Sequence, residues 1–412
     1  MAKPKLCLIP AAQGSKLFSV LPSSGVGDFD FTRSGSATRI NSQGLIETVA
    51  NGQSRLNYPM IDGKVVGCPH HILEPQRTNL LPYSEDFSNA AWIKLNSTVL
   101  ANQVISPDGT QNADELQFTT SGGNIYDNVG GSGDGVFSVF AKYKDTQYIR
   151  LRSTGSYAFF DIKNGVVGST LSVIDAKIEE YPNGWYKCSV IGNNTNSLAQ
   201  IFVSTDGVGI SLGNVYLWGA DFQAGSYPTS YIPTNGSTVT RSAETANGSG
   251  DSATFNDSEG VLMAEISALS DDTNYELISI SDGTNNSLIS LGFNNTTTES
   301  YKQVKFGIDN VFGDFTDPID QTTFNKIAIK YKSGDSSFYV NGFEIDSSST
   351  EFTPTSSMNE LKFSYFTGGD KFYGKTKQIQ YYNSALTDSE LEKISSWTSF
   401  SDMANGQQYS II

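Results

Sequence analysis

The sequence predicts an all-β protein. An irregular N-terminal β segment is followed by two antiparallel β-sandwiches of jelly-roll type, with one short helix near the C-terminus. Three observations carry this reading. The 412 residues are rich in Gly, Ser, Thr and Asn alongside Tyr and Phe, the composition of many short strands joined by tight turns. Apolar residues recur at nearly every second position, as with Phe137, Val139 and Ala141 against Ser138 and Lys142, where Phe140 breaks the polar row; this is close to the period of a half-buried strand. These candidate strands follow one another at short intervals, which suits two-sheet sandwiches rather than βαβ units.

Residues 1–78 hold short apolar pieces at 6–10, 17–21, 29–31 and 45–49, separated by Pro and Gly turn signals. Irregular β structure is expected there, with edges able to pair with another chain. Residues 79–245 read as the first sandwich, with strands at 115–119, 135–142, 148–152, 157–161, 169–173, 185–191, 199–204 and 214–223. The polar stretch 241–256 reads as a linker or as the first exposed strand of the next unit. Residues 246–412 read as the second sandwich, with strands at 260–267, 275–281, 287–293, 301–308, 325–332, 336–340, 343–346, 360–366 and 374–382. Within it, Asn341-Gly342 marks a hairpin, because both residues readily take the positive φ of a type I′ turn. Thr387 as N-cap and Glu390 three residues on form a capping box ahead of Leu391, Ile394 and Trp397, which starts the one helix. The last residues, 399–412, read as a tail or a strand paired with a partner.

The formal net charge is −16, from 27 basic and 43 acidic residues, and it is uneven. The balance is +3 through Arg77 and −19 beyond it. Such a chain is not built to neutralise nucleic-acid phosphates. No apolar run reaches the ~18 residues of a membrane span, and the apolar run at the start is too short for a secretory signal. Cys7, Cys68 and Cys188 are odd in number and far apart, which implies neither a disulfide framework nor a paired-cysteine metal site. His70 and His71 are the whole histidine supply, and neighbours on an extended strand point to opposite sides.

Catalytic patterns are weak. A glycosidase needs two carboxylates facing one cleft. Glu179 and Glu180 are adjacent and diverge on a strand, while the acids at 271–272 and 314–320 sit in turn-like sequence. Gly209-Ile210-Ser211-Leu212-Gly213 matches a nucleophile elbow in spelling only, since the residues after it read as a strand and not a helix. The chain is expected not to be an enzyme.

Phe31-Thr32-Arg33-Ser34-Gly35-Ser36-Ala37-Thr38-Arg39, Gly44-Leu45-Ile46-Glu47, Cys68-Pro69 and Leu73-Glu74-Pro75-Gln76-Arg77-Thr78-Asn79-Leu80 resemble a module of bacteriophage tail-fibre and other virion proteins. The likeness runs on through residues 83–92 and 107–110. It closes with Ala224-Gly225-Ser226-Tyr227-Pro228-Thr229-Ser230-Tyr231-Ile232-Pro233-Thr234, similar to the end of that family's carbohydrate-binding-like jelly rolls. The last third resembles a laminin-G or concanavalin-like lectin domain, through Phe324–Ile329, Ser337–Gly342 and Lys377–Leu391. The resemblance implies a virion fibre or spike protein, assembled in the host bacterial cytoplasm and freed by lysis, that displays sandwiches to a host-surface glycan. Residues 1–78 would then attach it to other virion proteins or assemble a homo-oligomer, a trimer by analogy. No nucleic-acid partner and no membrane insertion are expected. Two alternatives stand beside this: a purely structural head-fibre or capsid-decoration protein, and a virion-borne polysaccharide depolymerase.

On that reading Phe312 and Phe315 with Asp314, and Tyr126 with Asp127 and Asn128, are the candidate ligand contacts, because aromatic rings in turn-rich sequence can stack on sugars. Arg33, Arg39, Arg55 and Arg77 are the candidates for docking on the virion, with internal pairing to Glu47 and Glu74 as the alternative. Asp257, Asp282 and Asp309 are candidate loop ligands for calcium, which takes six to eight oxygens; no other cofactor is expected. Trp185 and Trp218 lie inside apparent strands and are expected in the core.

Overall fold

The computed structural model describes residues 2–398 and 402, except 121, 131, 154, 196–197, 272–273, 295–299 and 313–318. The described chain is all-β, as expected, with one α-helix at Asp388–Ser395 and every pairing between its strands antiparallel. The Thr387 hydroxyl accepts from the Glu390 N–H and the Glu390 carboxylate accepts in return from the Thr387 N–H, the capping box read from sequence. Asn341 and Gly342 take φ of 51° and 91° between strands Ser336–Val340 and Phe343–Ser348. No helix among the described residues is long and apolar enough to cross a membrane.

The first sandwich packs two six-stranded sheets. One runs in the spatial order Ile93–Leu95, Asn124–Asn128, Leu198–Ser204, Tyr148–Ser153, Ser156–Asp161 and Val166–Leu171. The other runs Ser97–Val104, Ala113–Phe118, Gly213–Ala224, Ser132–Tyr143, Trp185–Thr195 and Asp175–Tyr181. Their facing sides bury a core that includes Leu116, Ile125, Phe137, Val139, Ile149, Leu151, Ile201 and Leu217. Trp185 and Trp218 are each 1% exposed, in a side cluster with Phe140, Tyr181 and Tyr231.

The second sandwich differs from the sequence expectation in what it contains. Its larger sheet has eleven strands, and the N-terminal 78 residues supply several of them. Strand Leu6–Gln13 pairs with Gly374–Tyr382, and Lys16–Leu21 and Phe29–Thr32 extend the sheet beyond it. The stretch read as a linker or as the first exposed strand of the next unit contributes the edge strand Thr245–Asn247, paired with Phe29–Thr32. Facing this sheet is a five-stranded one that includes Glu276–Ser281, Ser287–Phe293 and Ser300–Phe306. Leu6, Leu8, Phe29 and Phe31 share one core with Ile278, Ile289 and Ile327. The free edges expected at the N-terminus are therefore largely used within the chain, and the first sandwich is an insertion. The chain enters it on Arg77–Asn79 and leaves it on Val239–Arg241, which pair with each other.

A buried ion cluster closes this neck. Glu244 accepts from Arg33 Nη1 at 2.8 Å, from Arg55 Nε at 2.9 Å, and from Arg55 Nη2. Glu74 accepts from Arg55 Nη2 at 2.8 Å and pairs with Arg241 Nη1 at 2.7 Å. All five side chains are essentially sealed from solvent. Burial alone would raise the Glu74 pKa, but Arg241 and Arg55 outweigh it and hold the carboxyl well below the usual range. Arg33 and Arg55, read as docking residues, thus have no surface to offer a partner. Fully desolvated guanidiniums need paired carboxylates, and here they have them.

Candidate functional site

The strand Tyr148–Ser153 alternates strictly. Ile149 and Leu151 are fully buried in the first sandwich, while Tyr148, Arg150 and Arg152 lie half-buried on the opposite, outer face. Strand register lines up two rows across that face. Tyr126 lies opposite Gln200, Gln200 opposite Arg152, and Arg152 opposite Tyr157. In the next row Phe202 lies opposite Arg150, and Arg150 opposite Phe159.

The Arg150 guanidinium carbon sits 4.0 Å from the Phe202 ring centre, 5.0 Å from Tyr157 and 5.7 Å from Phe159. This accounts for an oddity of burial: Phe159 and Phe202 are only 1% and 5% exposed although they lie on the outer side of the sheet. The planar cation packs over them and uses their π faces. Burial lowers the Arg150 pKa, and the like charge of Arg152 lowers it further. No carboxylate among the described residues forms an ion pair with Arg150, and its buried Nε has no hydrogen-bond partner. Arg152 is oriented from the side. Its Nη1 donates to Gln200 Oε1 at 3.4 Å, and Gln200 Nε2 donates to Asn124 Oδ1 at 2.8 Å, a relay across three neighbouring strands. Tyr126 and Tyr157, half-buried, flank the two arginines. Such a surface offers ring faces for stacking and fixed N–H donors beside them.

Of the residues singled out in the sequence, Tyr126 belongs to this face. Asp127 does not: it lies one position on, where the strand turns its side chain to the other side, and burial raises its pKa while Oδ2 has no partner. Asn128 is exposed at the strand end. Phe312 is 3% exposed in the core of the second sandwich, on strand Asp309–Phe312, with Lys302 Nζ 5.5 Å from its ring centre. It is a packing residue because its strand adds to the five-stranded sheet, a pairing its turn-like sequence hid. Asp314 and Phe315 lie outside the described residues. Arg39 pairs with Glu47 at 3.0 Å at the surface, and Arg77 stacks 5.1 Å from the Tyr227 ring centre. Asp257 accepts from the Met358 N–H at 2.8 Å, Asp282 binds Thr284 and Ser356, and Asp309 opens its own strand. Among the described residues no three His, Cys, Asp or Glu side chains are grouped to hold a metal.

Arg150, Arg152, Tyr157, Gln200 and Phe202 were not among the candidates that the sequence put forward. The signal was available in one respect: cations at every second residue, with Ile and Leu between, mark an outward row.

Two cavities lie elsewhere. One, of about 610 Å³, opens at the junction of the N-terminal strands and the two sandwiches, between Asn57, Tyr58, His70, Glu179, Phe324 and Lys375. Of its cations, Lys377 lies 3.4 Å from Glu265, Lys187 donates to the Thr229 carbonyl, and burial lowers the Lys375 pKa. The other, of about 550 Å³, is lined by Glu85, Asp86, Asn102 and Asp114. Burial raises the pKa of both Glu85 and Asp114 there.

No family model matches the chain, and no curated protein matches it. Among solved structures, it is similar to the carbohydrate-binding module CBM40 of the Ruminococcus gnavus IT-sialidase bound to α2,3-sialyllactose. The identity is 18%, over 34% of this chain and 84% of that one, with a TM-score of 0.29. It is also similar to domain 4 of AbnA, an arabinanase from Geobacillus stearothermophilus, in complex with arabinotriose. There the identity is 16%, over 37% and 73% of the two chains, with a TM-score of 0.29. A third similar structure is the SAP-like pentraxin of Limulus polyphemus, at 12% identity over 34% and 71%, with a TM-score of 0.28. Likenesses this distant carry no argument about a ligand.

Proposed function

We propose that the chain is a carbohydrate-binding display protein of a bacteriophage virion, a fibre or spike component, and that it acts by binding and not by catalysis. The observation that supports the binding role is the outer face of the first sandwich, where Tyr126 and Tyr157 flank Arg150, Arg152 and Gln200 in register. Rings give stacking area at low entropic cost, and the guanidinium and amide groups give directional donors for hydroxyls. The virion assignment rests on the resemblance of residues 1–245 to phage fibre modules. Each such site would be shallow and weak by itself, so several copies on one particle, as in a trimer, would supply the avidity.

The experiment is a glycan array probed with the full chain and with the double variant Tyr126→Ala/Tyr157→Ala, followed by adsorption to cells that carry the recognised glycan. Retention by the wild type and loss in the variant are expected. Equal retention of both proteins would remove this face from the binding role. Light scattering of the full chain reads the oligomeric state, and a monomeric mass would count against trimeric display.

A further inference from the structure

Resting on that reading of the outer face, we infer that its ligand is an acidic glycan, one whose sugar carboxylate is held by Arg150 and Arg152. The chain has seven arginines, and five of them lie away from this face. Arg33, Arg55 and Arg241 are consumed in the buried cluster with Glu74 and Glu244. Arg39 pairs with Glu47. Arg77 stacks on Tyr227 at the neck of the insertion. The remaining two stand two residues apart on one strand face, about 7 Å apart by strand geometry.

Arg150 covers the rings of Phe159 and Phe202, and Arg152 is held by Gln200, but neither packing role calls for a second cation beside the first. Two like charges side by side repel, and the protein as a whole is acidic at −16, so carboxylates were abundant had neutralisation been the aim. Yet no described carboxylate pairs with Arg150. Instead its plane is fixed by three rings and its buried Nε lacks an acceptor. A guanidinium held flat, with the terminal nitrogens of its fork bonded to no described residue, is preorganised for a planar anion with two oxygens. A carboxylate meets that geometry and relieves the repulsion between the two cations. Tyr126 and Tyr157 then provide the ring faces for the sugar that carries it. The acidic remainder of the surface is no obstacle at the site itself, since its field is screened beyond about 8 Å at physiological salt.

The test is biolayer interferometry of the full chain against polygalacturonate, hyaluronan and polysialic acid, each paired with its carboxyl-reduced counterpart. Retention on at least one acidic polymer and its loss on the reduced form are expected. Arg150→Gln should weaken retention by about tenfold or more. Arg150→Lys, which keeps the charge but not the planar fork, should weaken it nearly as much. Arg152→Gln provides a second variant, and a thermal unfolding scan of each keeps loss of binding separate from loss of fold. Equal binding to acidic and reduced forms overturns the inference and leaves the glycan-binding reading standing. Wild-type strength in Arg150→Lys reduces the effect to unspecific charge attraction and also overturns it. Silence on every polymer, together with a silent glycan array, removes both.

Discussion

Replacing Glu244 by Gln leaves three buried arginines facing one carboxylate. Glu244 accepts from Arg33 Nη1, Arg55 Nε, Arg55 Nη2 and the Glu74 N–H, and both its oxygens are used. A Gln side chain keeps one acceptor oxygen and turns an NH₂ group toward donors that cannot accept. Removing one member of a fully desolvated ion pair costs about 3–5 kcal/mol, because the partner charge stays buried. The cluster fastens residues 33, 55 and 74 to residues 241 and 244, so the unit affected is the fused sheet of the second sandwich. For a unit of that size, the loss corresponds to a fall in Tm of roughly 10 °C or more, measured by differential scanning calorimetry. The double variant Arg33→Leu/Glu244→Gln should lose less than the sum of its single changes, with a coupling of about 1–3 kcal/mol. Acid provides a second readout. The Glu74 pKa is depressed in the folded state, so its contribution is fully present above the unfolded value near 4.5 and is lost as pH falls toward the folded one. A Glu244→Gln protein that melts within about 2 °C of wild type at pH 7 would refute the claim that this cluster holds the neck together.

Other outcomes follow from single positions. Asp221 is 3% exposed with Oδ1 unpartnered, and burial pushes its pKa up to about 6. Its contribution is therefore complete below pH 3.8 and lost as pH rises through about 6. Asp221→Asn should gain on the order of 2–3 kcal/mol at pH 8 and nothing at pH 3, as read by urea denaturation at the two pH values. Phe312→Ala should cost about 3–5 kcal/mol by cavity formation and leave glycan retention at wild-type strength, the reverse of what a surface ligand contact would do. Thr387→Ala removes the cap of the one helix and should cost about 1 kcal/mol by the same denaturation assay.

Local chemistry is legible in the order of residues alone. The all-β class, the Asn341-Gly342 turn and the capping box at Thr387 each follow from backbone preferences that act over a few residues. Tyr126 stands out on the same basis, as an aromatic beside polar neighbours. What the sequence could not announce is which strands meet. Leu6–Leu8 pair with Ile379–Tyr381 across almost the whole chain, and no local pattern encodes a partner that distant. For the same reason Phe312 reads as a turn aromatic until strand pairing places it in the core, and Arg33 and Arg55 read as either docking or internally paired cations until Glu244 and Glu74 are brought against them. The sequence by itself determined that strands form and where they turn, because alternation and turn residues are short-range properties. The tertiary structure alone decided that strands Leu6–Gln13, Lys16–Leu21 and Phe29–Thr32 join the larger sheet of the second sandwich, and that Tyr126 and Gln200 share a face with Arg152. Burial and ion pairing are settled by which surfaces pack, not by which residues are neighbours in the chain.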